Sequence, residues 1–382
     1  MSVRQLTEDD LDALFTLRQI SFLDRSDFSD LAVRARHAAR LRYTTGHFLG
    51  GKLTSAAVCF PFEMFLGGRR VRVGGLASVL SAPEMRRRGF VRALLRDILE
   101  KLHEDGVGWC LEYPFDPRFY ARYGFATVPT GFEITCPTEK LFSGPAPDAA
   151  RFTGDATKTL EPIYDAWAQS YSLTLSRSTT ARLTWKRILA DDRFCYLLED
   201  AYAVIELEDT EKAQTLIVHD YAFTTPAGRE RLFRFLGAFY GQAELISLHL
   251  PADEPLAFDL QTHHTNELPI LQARIVDVRA ALTGLVSPSV KNFTLRVNDP
   301  FCGWNDGAFD LTLGPSGSSV TPSRRAPALS LTSGTLTQLL SGALSAAAAR
   351  RAGLLEGDVS VAEALASLGG DRVPFMPSSD YF

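Results

Sequence analysis

Beyond Gly89, apolar residues recur every three or four positions, at Val91, Leu94, Leu95, Ile98, Leu99 and Leu102. That spacing predicts an amphipathic helix with one buried face. The flanking stretches, Arg70 to Leu80 and Val107 to Tyr113, read as strands. A strand, a glycine-containing turn, a helix and a further strand make a βαβ unit, which requires parallel pairing. Upstream, Thr7-Glu8-Asp9-Asp10 is a capping signal for a helix through Leu11, Leu14, Phe15 and Leu17. Strands are predicted around Phe48 to Leu53 and Ala56 to Phe60, with Gly67-Gly68 turning the chain into the Arg70 strand.

After Gly144-Pro145-Ala146-Pro147-Asp148, a linker by composition, the pattern predicts helices around Leu160 to Tyr171 and Thr179 to Leu189. Strands follow at Cys195 to Leu198, Ala203 to Leu207 and Leu216 to Phe223, then a helix from Leu232 to Tyr240 and an apolar run from Leu245 to Leu250. This order suggests a second βαβ unit, but no glycine-rich basic turn joins its strand to its helix, so it lacks the means to hold a phosphate. The last part alternates strands (Asn292 to Val297, Ala308 to Leu313, Ala328 to Leu331) with helices at Thr335 to Leu340 and Val359 to Leu368, separated by a helix-favouring alanine-rich stretch, Ala343 to Arg351. The chain closes on the apolar, proline-punctuated Val373-Pro374-Phe375-Met376-Pro377 and on Tyr381-Phe382, unlike a frayed polar end.

Length turns this pattern into domains. With 382 residues the chain exceeds what one hydrophobic core supports, and it divides at roughly 1–140, 141–285 and 286–382. A formal charge of -5 argues against a nucleic-acid-binding surface. The N-terminus has no apolar signal core and no later run is long enough to span a bilayer, so a cytoplasmic protein is expected. Cys59, Cys110, Cys136, Cys195 and Cys302 are scattered singly, which suits reduced core thiols and gives no metal site. His263-His264 lies in a polar stretch without a third ligand.

The chemistry concentrates in Val79-Leu80-Ser81-Ala82-Pro83-Glu84-Met85-Arg86-Arg87-Arg88-Gly89-Phe90-Val91. Pro83 ends a strand, Gly89 permits a tight turn, and a helix begins at once with its N–H groups free. Three arginines there oppose the helix macrodipole, an arrangement that a bound pyrophosphate reverses. Further on lies an aromatic, glycine-closed run, Arg118-Phe119-Tyr120-Ala121-Arg122-Tyr123-Gly124-Phe125.

These residues resemble the GNAT acetyltransferases, whose coenzyme loop follows Arg/Gln-x-x-Gly-x-Gly/Ala; Arg86 and Gly89 match it, and Val91 replaces the final small residue. The resemblance implies that acetyl-CoA is the cosubstrate, with its phosphates on Arg86, Arg87, Arg88, Gly89, Phe90 and Val91 and its pantetheine along the backbone of Val79, Leu80 and Ser81. No metal is implied. The Arg118 to Phe125 segment is similar to the superfamily's F-Y-x-x-x-G-F, which implies that the Tyr120 phenol sits near the thioester sulfur and protonates the leaving thiolate.

Over the whole chain, the opening Val3 to Asp10, the loop, Ile275-Val276-Asp277-Val278-Arg279-Ala280-Ala281-Leu282 and the terminal Phe382 resemble the enhanced intracellular survival (Eis) family. An α/β (α+β) fold is implied: an active GNAT domain, a degenerate GNAT-like copy and a C-terminal domain similar to sterol carrier proteins. The resemblance further implies that the Phe382 α-carboxylate is the base, that Asp24, within the cluster Asp24, Asp27 and Asp30, contacts a cationic acceptor, and that the chain forms hexamers from trimers. The acceptor would be an aminoglycoside- or polyamine-like small molecule, with protein lysines as the alternative acceptor and a non-catalytic, CoA- or lipid-binding regulatory protein as the reading from another class.

Overall fold

Alternating β-branched and aromatic residues gather into three sheets in the computed structural model, which describes residues 2–141, 143–177, 185–190, 192–209, 213–256, 260, 264–266 and 270–382. The first sheet has the order β1 (Ser2–Gln5), β2 (Thr44–Leu49), β3 (Lys52–Leu66), β4 (Arg69–Ser81), β5 (Trp109–Glu112), β14 (Leu271–Ile275) and β6 (Ala126–Val128). The second runs β13 (His264–Asn266), β7 (Phe132–Pro137), β12 (Leu245–Leu250), β11 (Gln214–Phe223), β10 (Ala201–Asp209), β9 (Phe194–Leu198) and β8 (Ala150–Arg151). The third is β17 (Ser319–Ser323), β16 (Gly307–Leu313), β15 (Lys291–Asn298), β18 (Leu329–Thr332) and β19 (Leu355–Gly357).

Both expected crossovers are present. β4 pairs parallel with β5 across helix α3 (Phe90–Glu104), and β11 pairs parallel with β12 across the helix Pro226–Gly237. The face of α3 that the periodicity selects is buried at Phe90, Leu94, Leu95, Ile98 and Leu99.

The sheets divide the chain differently from the boundaries near 140 and 285. β7, on the first side of the sequence boundary, pairs antiparallel with β12 of the second sheet. β14, on the second side, pairs with β5 and β6 of the first. Each sheet therefore takes a strand from the segment next to it, and this ties the two bodies together at their seam. Of the helix predicted over Thr179 to Leu189, Trp185–Ile188 is observed and residues 178–184 lie outside the described residues, as does His263. Among the described residues, no helix is long and apolar enough to cross a membrane.

The third sheet packs onto the first. Leu295, Val297, Leu331, Leu336, Leu339 and Leu340 share one cluster with Phe60, Phe62, Met64, Trp109 and Leu111. Two buried charges cross this contact: Arg274 on β14 donates twice to Asp299, at 3.0 and 2.8 Å. Gly124, with φ +81, lies so close to Arg274 that a side chain there would strike the guanidinium, which explains the glycine in Tyr123-Gly124-Phe125.

Candidate active site

β4 carries the site because it does not stay paired. Its parallel register with β5 runs from Val73↔Trp109 to Leu76↔Glu112 and stops. The next residues shift register against β3 between Ala56 and Val58, and Ser78 takes φ +50. A non-glycine residue in the left-handed region is uncommon, and here it marks a bulge that swings Val79, Leu80 and Ser81 away from β5. Among the described residues the β4 edge facing the gap has no strand partner, which leaves it open to an extended ligand.

The loop after this bulge is open on the solvent side. A short 3-10 turn at Pro83–Met85 leads to Arg87 at φ +63 and Gly89 at φ +83, and α3 starts without a side-chain cap. A Cβ on Gly89 would meet nothing within 4 Å. Arg86, Arg87 and Arg88 are exposed, and among the described residues no carboxylate forms a salt bridge with them. An uncapped helix start beside three unneutralised guanidiniums fits a diphosphate. The side chains of Phe90 and Val91 turn inward: the Phe90 ring is buried and stacks on His47 at 4.3 Å, and Val91 packs against the core beneath the helix.

The second domain shows what the same place looks like when closed. Its helix Pro226–Gly237 is capped by the Thr225 hydroxyl, which accepts from Gly228 N at 3.0 Å. The Asp200 carboxylate lies against Gly228 and accepts from Arg231 and Thr225. The protein's own carboxylate thus occupies the anion position of the degenerate copy.

Strand alternation distributes the chemistry of the first domain over two faces. Leu76 and Cys110 point into the cluster beneath α3, and Tyr120, on the short helix Pro117–Ala121, belongs to that cluster. Its ring is wedged among Phe115, Phe119 and Phe125. On the opposite face, Phe382 packs its ring against Phe62 at 4.9 Å and Tyr113 at 5.3 Å. A Cβ on Gly75 would strike the Phe62 ring and come within 3.0 Å of the Phe382 ring, so this glycine makes room for that aromatic pair. Phe382 and Tyr120 therefore flank the point where β4 and β5 part, one on each side of the sheet. Burial, with the nearby charge of Glu112 second, holds the Tyr120 phenol well above its ordinary range, so it keeps its proton at neutral pH.

Asp24 is engaged locally. It accepts from Ser26 N and Oγ at 3.1 and 2.7 Å and from Arg18 Nε at 3.0 Å, and these bonds bring it down to about 2. Asp27 caps its own turn through Ser29, and Asp30 is the N-cap of the helix Leu31–Ala38. Cys110 is fully buried, and a hydrogen bond shared with Cys59, followed by burial, pushes its thiol up, which suits a core residue and not a nucleophile.

Sequence reasoning missed Glu112. By alternation it shares the face of Cys110 and Tyr120, it is buried, and among the described residues its Oε1 has no hydrogen-bond partner. Burial pushes its carboxyl up to about 9. The folded state then holds a proton that the unfolded chain releases near its ordinary value of about 4.3, so stability falls as pH rises between those two values. Glu112→Gln, which removes the titration, should raise Tm by several degrees at pH 8 and leave it nearly unchanged at pH 5, read by thermal denaturation at both pH values.

Also unforeseen were Arg18, His37 and Arg40, which line a cavity with Leu14, Phe60, Ala77, Ser78 and Phe382. The basic run Arg34-Ala35-Arg36-His37-Ala38-Ala39-Arg40-Leu41-Arg42 was the available signal.

Comparison with known proteins agrees with this geometry. Family models described as an acetyltransferase (GNAT) domain match residues 2–128 and 174–279, and a sterol carrier protein domain matches 278–377. An uncharacterized N-acetyltransferase of Streptomyces avermitilis is 24% identical over 311 residues, covering 74% of this chain and 75% of that protein. The N-acetyltransferase Eis of Mycobacterium tuberculosis is 24% identical over 369 residues, 88% of each chain. The GCN5-related N-acetyltransferase of Anabaena variabilis superposes with a TM-score of 0.87 at 19% identity, covering 100% of both chains. Two acetyltransferase (GNAT) domains in tandem followed by a sterol carrier protein domain, with Eis relatives matched over most of the chain, place this protein among the Eis-type N-acetyltransferases of the GNAT superfamily.

Proposed function

We propose that the chain transfers an acetyl group from acetyl-CoA directly to an amine in a ternary complex. The observation that carries this reading is the placement of Tyr120 and Phe382 on opposite faces of the sheet where β4 leaves β5. Arg86, Arg87, Arg88 and the first N–H groups of α3 hold the diphosphate, and the freed edge of Val79, Leu80 and Ser81 pairs with the pantetheine. The acetyl thioester then lies in the gap with its carbonyl near main-chain N–H groups.

The acceptor amine approaches from the Phe382 side. It gives a proton to the terminal carboxylate, directly or through one water, and its nitrogen bonds to the acetyl carbon. The C–S bond breaks, and the thiolate takes the Tyr120 proton on the other face. The products are the acetamide and free coenzyme A. No enzyme thiol takes part.

For an aminoglycoside- or polyamine-like acceptor, which the resemblance implied, the described lining of the cavity sets Phe382 beside two cations, Arg18 and Arg40. Asp24 is already spent on Arg18 and Ser26. Protein lysines remain the alternative acceptor. The test is thiol release from acetyl-CoA with a panel of small amines and lysine peptides, with products identified by mass spectrometry; a Tyr120→Phe rate equal to that of the parent would overturn the reading.

Replacing both Arg86 and Arg88 by Ala should raise the Kd for acetyl-CoA by about tenfold or more, since charge-assisted hydrogen bonds are each worth roughly 1.5–3 kcal/mol. Calorimetry in low and moderate salt checks it, and the salt dependence should shrink in the variant. A homo-oligomer, a hexamer of paired trimers, also belongs to this reading; a light-scattering mass equal to the 42.1 kDa single chain would remove it.

A further inference from the structure

The cavity beside the chain end carries a charge that the reaction does not require. Its lining includes two guanidiniums, Arg18 and Arg40, and the imidazole of His37. Arg18 is matched by Asp24, with Nη2 to Oδ2 at 2.9 Å. Arg40 has no such match: among the described residues no carboxylate forms a salt bridge with it. It sits half-buried at the end of the helix Leu31–Ala38. Burial first, then the positive charges of Arg18, Arg36 and Arg187, work against its protonated form. His37 is buried too; desolvation, then Arg18 and Arg40, bring it down to about 4, so at neutral pH it adds no charge.

A half-buried guanidinium among other guanidiniums is unfavourable in the free protein, and an oxyanion placed there changes the sign. The position is also informative. Arg40 lines the same cavity as Phe382, the residue whose carboxylate would take the acceptor's proton, so whatever Arg40 holds is part of the acceptor. Resting on the acetyltransferase reading, we propose that the acceptor is an amine that also carries a carboxylate or phosphate group, and that Arg40 binds this group while the amine faces Phe382.

The arrangement serves the chemistry in a second way. Neighbouring cations disfavour an ammonium, so they ease loss of the proton from the acceptor nitrogen. A polycation meets only repulsion from the same groups.

Matched acceptors test this with the intact enzyme: lysine against 1,5-diaminopentane, O-phosphoethanolamine against ethanolamine, and spermidine as the polycation. The expected kcat/KM for each anion-bearing member exceeds that of its partner by about tenfold or more, the range of one charge-assisted contact. The lysine and phosphoethanolamine arms tell a carboxylate site from a phosphate site. Arg40→Gln should collapse the preference to within about twofold through acceptor KM, with acetyl-CoA KM unchanged and Arg40→Lys intermediate.

Equal rates for paired acceptors, faster transfer to spermidine, or a preference that survives Arg40→Gln would overturn the proposal and leave the acetyltransferase reading intact. A uniform fall in kcat for every acceptor in Arg40→Gln would also overturn it, because Arg40 would then be seating the terminal carboxylate. If no amine is acetylated although acetyl-CoA binds, the acetyltransferase reading fails and this proposal with it.

Discussion

Deleting Phe382 should lower kcat by about 10²–10⁴-fold, the usual range for a lost general base, while acetyl-CoA binding stays unchanged. The deletion leaves a carboxylate on Tyr381, so charge alone does not account for the loss. One residue of chain spans about 3.3–3.6 Å, and a base must reach its proton within roughly 2.6–3.2 Å or through a single water. Two companions separate the charge from its position. Phe382→Ala keeps the carboxylate but drops the ring that packs on Phe62 and Tyr113, so the end becomes mobile and the loss should be smaller. An added glycine keeps the ring and moves the charge past its place, and should cost nearly as much as the deletion. Steady-state kinetics on the three variants, with calorimetry for acetyl-CoA, checks the order; a deletion as active as the parent would remove Phe382 from the proposed chemistry.

The parts of this site that could be read from the sequence are the local ones. Gly89 and α3 announce themselves because a positive φ selects glycine and because a helix with one buried face must repeat its apolar residues every three or four positions. The β4–α3–β5 unit follows from adjacency along the chain. The strands β7 and β14 could not be assigned, since a buried strand shows the same apolar run whichever sheet receives it, and Ala273 pairs with Leu111 across a long sequence separation. Aspartates show a related ambiguity: Asp24 looks like a ligand for a cation and proves to be the acceptor of its own turn. Arg40 and Glu112 failed for a different reason. A charged residue on a helix or a strand end reads as solvated, and only the tertiary structure shows that one is enclosed with other cations and the other with an aromatic cluster.

Substituting Arg177 should have the largest effect of any change remote from the reaction. The last residues, Pro374 to Tyr381, reach the first domain along a track laid by Ser172 to Ser176. Phe375 N donates to Ser172 O at 2.9 Å and Thr174 Oγ1 to Phe375 O at 2.7 Å, while Thr174 O and Ser176 N bond in turn to Phe65 N and Glu63 O on β3, each at 2.8 Å. At the end of the track Arg177 is fully enclosed and grips two carboxylates, Asp220 at 2.8 and 2.7 Å and Asp380 at 2.8 Å, with Tyr164 donating to Asp380 at 2.5 Å. Although burial opposes its charge, Asp220 and Asp380 hold the guanidinium protonated. Arg187 adds a bond to the Tyr381 carbonyl at 2.8 Å. Arg177→Met leaves two buried carboxylates facing each other without a cation, a loss of about 3–5 kcal/mol by analogy with other broken buried pairs. The tail should detach before the second domain unfolds, since Asp380 is held by that network and Asp220 lies within β11. Thermal denaturation should therefore show a lowered Tm, and kcat at a temperature where the fold persists should fall toward that of the Phe382 deletion with acetyl-CoA affinity retained. The double change Arg177→Met with Asp380→Asn removes the unpaired charge on the tail and should restore part of the Tm without restoring kcat. Recovery of both together would mean that the clamp only stabilises the fold, and that Phe382 finds its place on Phe62 and Tyr113 without it.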